Sequence, residues 1–259
     1  MRSTFRLRAP WAPLAALGLL AGCGERLVAE PVPLSGLAGR TLQYTLTDVD
    51  SLEERESTAG AYRLTLQFVG EGGPCVRLEG DVTATLDGEP MKLERGGVPD
   101  TGAGGREVCE RPRATYDFDP EQWDKAPAAD LGIVLQDGTH TVRLVLGQAR
   151  AKRRFVREDG TSGTLRRGQS YAYGWRPPTD APPSVQVRLI HVGTGISSPL
   201  TVAQEGHTSR LYLPADTREG AYLLRMNGTT PGRVLTCEGV AGCEGFLLHS
   251  EDREVSVVP

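Results

Sequence analysis

Histidines and acidic residues are the side chains of this sequence best suited to acid–base or metal chemistry. The four histidines are His140, His191, His207 and His249. None belongs to a His-Glu-x-x-His or His-x3-His arrangement. Carboxylates cluster between Asp117 and Asp124, and hard cations prefer such oxygen ligands, but the segment lacks the glycine and terminal glutamate of an EF-hand loop. We therefore expect no metal or cofactor here, only an acidic loop with Phe118 and Trp123 turned inward.

Patterns for covalent catalysis and phosphate binding are also missing. The chain contains neither a Gly-x-Ser-x-Gly elbow nor a Ser-x-x-Lys pair. The glycine-rich run 96–105 lacks the Gly-x4-Gly-Lys-Ser/Thr pattern of a phosphate cradle, so it predicts a flexible loop. These absences favour a binding or structural role over catalysis.

The first residues have the composition of an export signal. Arginines at positions 2, 6 and 8 precede an apolar stretch, 14–20, that is too short to span a bilayer. Together with Leu20-Ala21-Gly22-Cys23, this leader resembles bacterial lipoprotein signal peptides. The resemblance implies that residues 1–22 are a removed signal peptide and that Cys23 is lipidated. The chain carries no clear pattern from Gly24 to about Pro33, so we expect residues 23–33 to be a lipidated tether that lifts the fold off the membrane.

The residue after the proposed anchor bears on location. In enterobacterial lipoproteins that this leader resembles, an aspartate at that position favours retention at the inner membrane, whereas this chain has Gly24. We therefore expect a bacterial cell-envelope protein at the outer membrane in preference to the inner one.

Four further cysteines are Cys75, Cys109, Cys237 and Cys243. An even number in an exported chain indicates disulfides, because the envelope is oxidising. Three pairings are possible, and a division of the chain into two halves favours Cys75 with Cys109 and Cys237 with Cys243. A zinc site is the alternative, but no Cys-x-x-Cys pair occurs and a Cys-x5-Cys spacing is a weak metal signal.

The charge balance argues against a nucleic-acid partner. The chain has 29 Lys and Arg against 33 Asp and Glu, and the leader contains three of the arginines. The densest basic cluster, 152–154 with Arg157, is followed at once by Glu158 and Asp159, so no stretch is basic enough to neutralise several phosphates. We place this cluster on an exposed strand edge, where charge discourages edge pairing.

The elements that must position these residues are β-strands. The 32 glycines and 18 prolines interrupt the chain at short intervals, which leaves little room for long helices. Between them apolar residues alternate with period two, as expected for strands with one buried face. The clearest runs are 42–46, 62–68, 82–86 and 142–146. Asp87-Gly88 and Asp137-Gly138 have the residue types of hairpin turns.

The second half carries a more specific pattern. The alternating segment 170–175 ends in Trp175, a proline-rich break follows, and Tyr222 comes directly after a tight turn. Residues 152–259 thereby resemble an immunoglobulin-like sandwich of the fibronectin type III kind, in which a strand-B tryptophan packs in the core and a corner tyrosine begins strand F. The resemblance implies a binding or spacer module, with the Cys237–Cys243 loop between strands F and G.

These observations predict an all-β protein with two tandem antiparallel sandwich domains, 34–150 and 151–259. We expect a lipid-anchored, non-catalytic binding or scaffolding module whose partner is another envelope protein or a polysaccharide. An enzyme or enzyme accessory acting on cell-wall or polysaccharide substrates is one alternative, and a structural spacer is another. Recognition is expected on loops at the ends of a sandwich. The candidate loops are 177–183, 193–199 and 237–243.

Overall fold

The described part of the chain folds mainly into β-strands, as the alternating pattern predicts. A computed structural model describes residues 27–50, 61–70, 73–99, 108–161 and 163–259. The strands are β1 (Glu30–Val32), β2 (Thr41–Asp50), β3 (Tyr62–Val69), β4 (Val76–Leu78), β5 (Thr83–Leu86), β6 (Glu89–Pro90), β7 (Lys92–Glu94), β8 (Arg113–Asp117), β9 (Leu131–Gln136), β10 (Thr141–Gly147), β11 (Arg154–Arg157), β12 (Thr164–Arg166), β13 (Ser170–Arg176), β14 (Val185–His191), β15 (Ser197–Glu205), β16 (Thr208–Tyr212), β17 (Gly220–Pro231), β18 (Arg233–Glu238) and β19 (Gly242–Val258). The leader, Cys23 and residues 100–107 lie outside the described residues.

Helical structure is limited to short segments. The α-helix α1 (Pro120–Lys125) is accompanied by 3-10 helices at Leu34–Leu37 and Pro178–Asp180. The acidic segment predicted as a loop is therefore partly helical: the Asp119 side chain accepts from the backbone N–H of Glu121 as an N-cap. Trp123 is buried, as expected. Across the described ranges no helix is long and apolar enough to cross a membrane.

The first core lies between two sheets. One has the order β18-β10-β9-β5-β6, and the other is the end β19-β2-β3-β8-β7 of a 12-stranded sheet. Alternate residues point inward because successive side chains of a strand face opposite sides. The inward set includes Leu42, Tyr44, Leu46, Leu64, Leu66 and Phe68 from one sheet, and Ile133, Leu135, Val142 and Leu144 from the other. The period-two runs of the sequence are thus the two facing walls of this core.

The predicted hairpin turns form with different chemistry. Asp87 and Gly88 both have positive φ, at 48° and 88°, and connect β5 to β6 as a two-residue turn. The second turn, 137–140, instead uses the Asp137 carboxylate, which accepts backbone N–H bonds from Thr139, His140 and Leu34. These bonds, of which those from Thr139 and His140 contribute most, and a bond from the Thr139 hydroxyl lower the pKa of Asp137 to about 2.

The second core is an immunoglobulin-like sandwich. Strand β15 pairs with both β14 and β16, so it joins the β11-β13-β16 side to the β14-β17-β19 side. Trp175 and Tyr173 are fully buried within it. The Tyr222 hydroxyl donates to the carbonyl of Arg218 over 2.8 Å, which is the bond expected of a corner tyrosine.

The two cores share one long hairpin. Strand β17 pairs with β19 from Gly220↔Val257 to Pro231↔Phe246, which extends far beyond the second core. The extended half enters the first core: β18 pairs with β10, and residues 242–251 of β19 run parallel to β2. The chain therefore crosses the predicted 150/151 boundary a second time, and apolar residues of the segment 233–247 pack in the first core.

Glycines allow the hairpin to cross β2 closely. A Cβ on Gly232 would overlap the Tyr44 ring and hydroxyl, and one on Gly245 would overlap the Tyr44 backbone. Because only glycine lacks a Cβ, these two positions let the backbones of hairpin and β2 approach each other.

The cysteines pair as predicted, in Cys75–Cys109 and Cys237–Cys243 disulfides. The assignment of one pair to each half was wrong. Cys243 packs against the first core, because the β18–β19 hairpin that the second disulfide closes inserts there. Both disulfides therefore stabilise the first sandwich.

Two further expectations need correction. Residues 30–32 do not belong to a patternless tether, because they form β1, which pairs with β4. Within the basic cluster, Arg154 and Arg157 lie on an edge strand, β11, and Arg153 directly precedes it, but Arg153 and Arg157 are buried. The carboxylates of Asp180 and Asp159 and nearby backbone carbonyls accept from their guanidinium groups, which makes this burial possible.

Candidate functional site

A cleft of about 690 Å³ opens where the two cores meet. Its walls come from the 147–154 link between the cores, the 176–181 segment after β13, and the 230–233 turn of the shared hairpin. The structure thereby brings together the basic cluster and the 177–183 loop, which are far apart in the sequence. The cleft is within the size range of small-molecule binding sites.

One wall of the cleft is fixed by Asp180. Its Oδ2 accepts from Arg153 Nε at 3.0 Å, and its Oδ1 accepts from the indole Nε1 of Trp175 at 3.0 Å. Arg153 also donates to the carbonyls of Ala149 and Ala151. The 177–183 loop is therefore held against the core tryptophan by a carboxylate whose two oxygens are both in use.

The same cleft presents three exposed arginines. The side chains of Arg154 and Arg233 have neither a hydrogen bond nor an ion pair with any residue that the structure describes, and the Arg176 guanidinium donates to the carbonyl of Trp175 alone among those residues. Arg154 lies directly opposite Arg176 in the β11–β13 register. The cleft thus holds an excess of positive charge, although the whole chain has more acidic than basic residues.

A buried threonine also borders the cleft. Thr230 is 1% exposed, and its Oγ1 has no hydrogen-bond partner within the described ranges. Most buried polar groups in proteins are hydrogen-bonded, and an unsatisfied one costs about 1–3 kcal/mol. Because this hydroxyl is closed to solvent, it is not among the groups that a ligand in the cleft would reach.

Behind the cleft, beyond the Phe155 and Trp175 rings, a charge network joins the two cores. His249 on β19 is 2% exposed, with Nε2 3.1 Å from Glu251 Oε2 and Nδ1 3.2 Å from Asp48 Oδ2 on β2. The Nδ1 contact is poorly aligned for a hydrogen bond, so we treat it as an ionic contact. Glu251 also accepts from the backbone N–H of Phe155 and from Arg253.

The network is an internally neutralised imidazolium. Burial by itself would lower the pKa of His249, but the carboxylates of Asp48 and Glu251 outweigh it and raise that pKa to about 9. The pKa of Glu251 is lowered despite its burial, because His249 and Arg253 stabilise the carboxylate. The two shifts agree in direction, as expected for an ion pair, and His249 is closed off from solvent.

The remaining candidate residues do not converge on one site. His140 bonds the carbonyl of Gly239, His191 packs edge-on against Tyr222, and His207 lies exposed in a turn. Asp117 pairs with Arg63. No group of three or more His, Cys, Asp or Glu residues in the described part of the chain is arranged to hold a metal ion.

The three predicted recognition loops also lie apart. The 177–183 loop lines the cleft, whereas the 193–199 segment borders a smaller pocket of about 350 Å³ at the other end of β14. The Cys237–Cys243 turn lies at the far end of the β10–β18 pairing from the cleft. Of these loops, only 177–183 meets a cluster of unpaired charges.

Sequence reasoning missed Arg176 and Arg233 as parts of one site. Each is a single polar residue at the end of a strand, and such residues are ordinarily solvated. Arg154 and Arg176 lie opposite each other only because β11 pairs with β13. Their like charges could therefore indicate a binding site only once that pairing is known.

Comparisons with known proteins give no family assignment. No family model matches the chain, and no curated protein matches it. Among solved structures, it is similar to a candidate DNA-binding protein from Bacteroides vulgatus, at 17% identity and a TM-score of 0.30, covering 53% of this chain and 74% of that one. It is also similar to chimeric titin Z1Z2, at 15% identity and a TM-score of 0.22, covering 85% and 95% of the two chains.

A third similar structure is the Bacteroides ovatus mixed-linkage glucan utilization locus protein SGBP-B in complex with a heptasaccharide. It has 10% identity and a TM-score of 0.21, with 76% of this chain and 52% of that one covered. Overall superposition is poor in all three cases, so the strand order and contacts described above define the fold, and the cleft defines the candidate site.

Proposed function

We propose that this protein is a lipid-anchored, non-catalytic binding module of the bacterial cell envelope, and that its ligand occupies the cleft between the two cores. The observation that carries the proposal is the set of three exposed arginines that converge on the cleft, Arg154, Arg176 and Arg233, none of which has a carboxylate partner among the described residues. Without a ligand, solvent alone compensates the two opposed guanidinium groups of Arg154 and Arg176.

The chemistry of these groups supports binding over catalysis. Arginine stays protonated at any physiological pH, so it can orient and neutralise an anion but cannot act as a general base. The carboxylate in the cleft, Asp180, is already bonded to Arg153 and Trp175. The nearby imidazole, His249, is buried and paired with carboxylates. The cleft is therefore suited to recognition.

The location within the envelope rests on the leader sequence. Lipidation of Cys23 would place the fold at a membrane surface with its cleft facing an aqueous compartment. The variant Cys23→Ser should leave the membrane fraction and lose the mass of the lipid, because the acyl chains supply the hydrophobic attachment. Unchanged partition together with an unchanged mass would contradict the anchor.

Binding at the cleft is tested by obstructing it without changing charge. Thr179→Trp places a large side chain on the exposed 3-10 helix that borders the cleft, and Thr217→Trp is the matched change at the smaller pocket of the second core. Wild-type protein should retain a component of envelope extract that Thr179→Trp loses and Thr217→Trp keeps.

The opposite pattern would move the site to the smaller pocket, and equal retention by both variants would exclude both pockets. Turnover of a cell-wall or polysaccharide substrate by the purified protein, abolished by a single Asp, Glu, Ser or His substitution, would replace the binding proposal with an enzymatic one.

A further inference from the structure

We infer that the cleft binds an acidic saccharide, a sugar chain that carries carboxylate or phosphate groups. The inference rests on the proposed function and specifies its ligand. The cleft has an excess of positive charge. Its three exposed arginines have no carboxylate partner among the described residues, and the Asp180 carboxylate is already paired with Arg153.

A second pair of opposed arginines in the same protein shows that the imbalance is particular to the cleft. Arg188 lies opposite Arg225 in the β14–β17 register. There the neighbouring strand supplies Asp252 opposite Arg225, and its carboxylate accepts from Arg225 Nε and a terminal nitrogen at 2.8 Å each. Like charges directly opposite each other on neighbouring strands are destabilising. The fold compensates this pair with an acid.

The cleft pair has no such compensation. Arg154 on β11 lies opposite Arg176 on β13, and β11 is the edge strand, so no further strand can contribute a carboxylate on that side. Arg233 adds a third guanidinium from the shared hairpin. An anion bound between these groups would perform the role that Asp252 performs for Arg225. Guanidinium groups pair with planar carboxylates and with phosphates through two parallel hydrogen bonds.

The rest of the lining indicates more than a single anion. The cleft, at about 690 Å³, has apolar surfaces from Pro177, Pro231 and Ala181 between the charged groups. The exposed Thr179 side chain supplies a neutral hydroxyl to the same lining. Apolar surfaces beside scattered polar groups suit the C–H faces and hydroxyls of sugar rings, and the arginines suit acid groups attached to those rings.

The test compares acidic with neutral oligosaccharides, first on the wild-type protein and then on variants of the cleft arginines. Titration calorimetry would measure the affinity of the purified protein for an oligogalacturonate, a phosphorylated oligosaccharide and a neutral oligosaccharide of the same length. We expect the acidic ligands to bind at least about tenfold tighter than the neutral one, since hydrogen bonds to charged groups are the strong ones. Preference for the carboxylated or the phosphorylated oligomer identifies the acid group. Their affinity should fall as salt is raised, because the arginines are exposed.

Charge reversal then locates the interaction. The double variant Arg154→Glu with Arg233→Glu should lose at least about tenfold in affinity for the acidic oligomers. It should remain folded, because a glutamate at position 154 would face Arg176 and form an opposite-charge pair. The matched control reverses Arg77 and Arg111, two exposed arginines outside the cleft and outside the smaller pocket, and should stay within about twofold of wild type.

Equal affinity for neutral and acidic oligomers, or an unchanged affinity in the cleft double variant, would overturn the inference. Binding to vesicles of anionic phospholipid without binding to either acidic oligomer would also overturn it. These outcomes differ from failure of the proposed function. A neutral ligand lost in Thr179→Trp would contradict only the acidic ligand, whereas no difference between Thr179→Trp and wild type would contradict the cleft itself.

Discussion

Two charged regions at the junction of the cores differ in how their charges are compensated. Behind Trp175, the His249 imidazolium is enclosed by Asp48 and Glu251, and Arg253 completes the charge balance. In front of it, Arg154, Arg176 and Arg233 line a cleft that provides no free carboxylate. Burial requires that charges be paired, whereas exposure to solvent allows an unpaired charge to persist. The buried region therefore joins the cores, and the exposed region is available to a ligand.

Trp175 lies between these two regions, and its substitution should have the largest effect on stability. Trp175 is fully buried, packs edge-on against Phe155 and His249, and donates to Asp180. Trp175→Ala should lower the free energy of unfolding by about 3–5 kcal/mol. Urea unfolding measures the loss. A midpoint equal to that of the wild type would mean that the tryptophan does not support the second core.

The buried network should make stability depend on pH. Because the pKa of His249 is about 9 in the folded protein and about 6.5 in the unfolded chain, the network stabilises fully below pH 6.5. That stabilisation, on the order of 3 kcal/mol, should be lost as the pH rises through about 9. Unfolding free energies measured from pH 6 to pH 10 should decline in wild type.

The control for this pH dependence is His249→Gln, which lacks the titrating group. It should be less stable than wild type at pH 6, and the difference between the two should shrink toward pH 10. A constant difference between the two proteins across that range would show that His249 is not protonated in the folded state.

The basic cluster contains a buried arginine, Arg153, next to an exposed one, Arg154, so their substitutions can be compared directly. Arg153 is 3% exposed and donates to Asp180 and to carbonyls of the link between the cores. Arg153→Ala should cost about 1.5–3 kcal/mol, the range for hydrogen bonds to charged groups. The sequence alone predicts less than about 0.5 kcal/mol for an exposed arginine. Differential scanning calorimetry of Arg153→Ala beside Arg154→Ala separates the two expectations.

The smallest effect should have the opposite sign. Arg154→Gln removes one of two like charges facing each other, so the ligand-free protein should become more stable by about 0.2–1 kcal/mol. Arg188→Gln is the matched control, because Asp252 already compensates its partner Arg225 and Arg188 donates to Ser197. It should bring no gain. Equal gains in both variants would mean that the cleft arginines are under no particular electrostatic strain.

Much of the local structure could be predicted from residue types. Alternation in β2, β3, β5 and β10 predicted their buried faces, and Asp87-Gly88 predicted a turn with positive φ. Trp175 and Tyr222 predicted core and corner positions. Division of the chain into two halves favoured the observed disulfide pairs among three possible pairings, although the reason given for the second pair was wrong, since its hairpin lies in the first core.

The candidate site could not be predicted in the same way. From the sequence alone, Arg154 and Arg153 are both predicted to be solvated. The structure shows Arg176 opposite Arg154 and Asp180 bonded to Arg153. His249 has no local partner that identifies its role besides Glu251, because Asp48 comes from the other end of the chain. Each assignment needs a partner that the sequence neighbourhood does not contain.

The strand character of the chain, the buried faces of its clearest strands and two of its turns could be predicted from residue types, because those features depend on residues one to four positions apart. The extension of β17 and β19 from one core into the other, the parallel pairing of β19 with β2, and the charged cleft at the crossing are known only from the packed structure. The alternation in a strand shows which side is buried but carries no information about which surface covers it. Pairings between distant residues such as Leu42 and Cys243 arise only when the whole chain is packed.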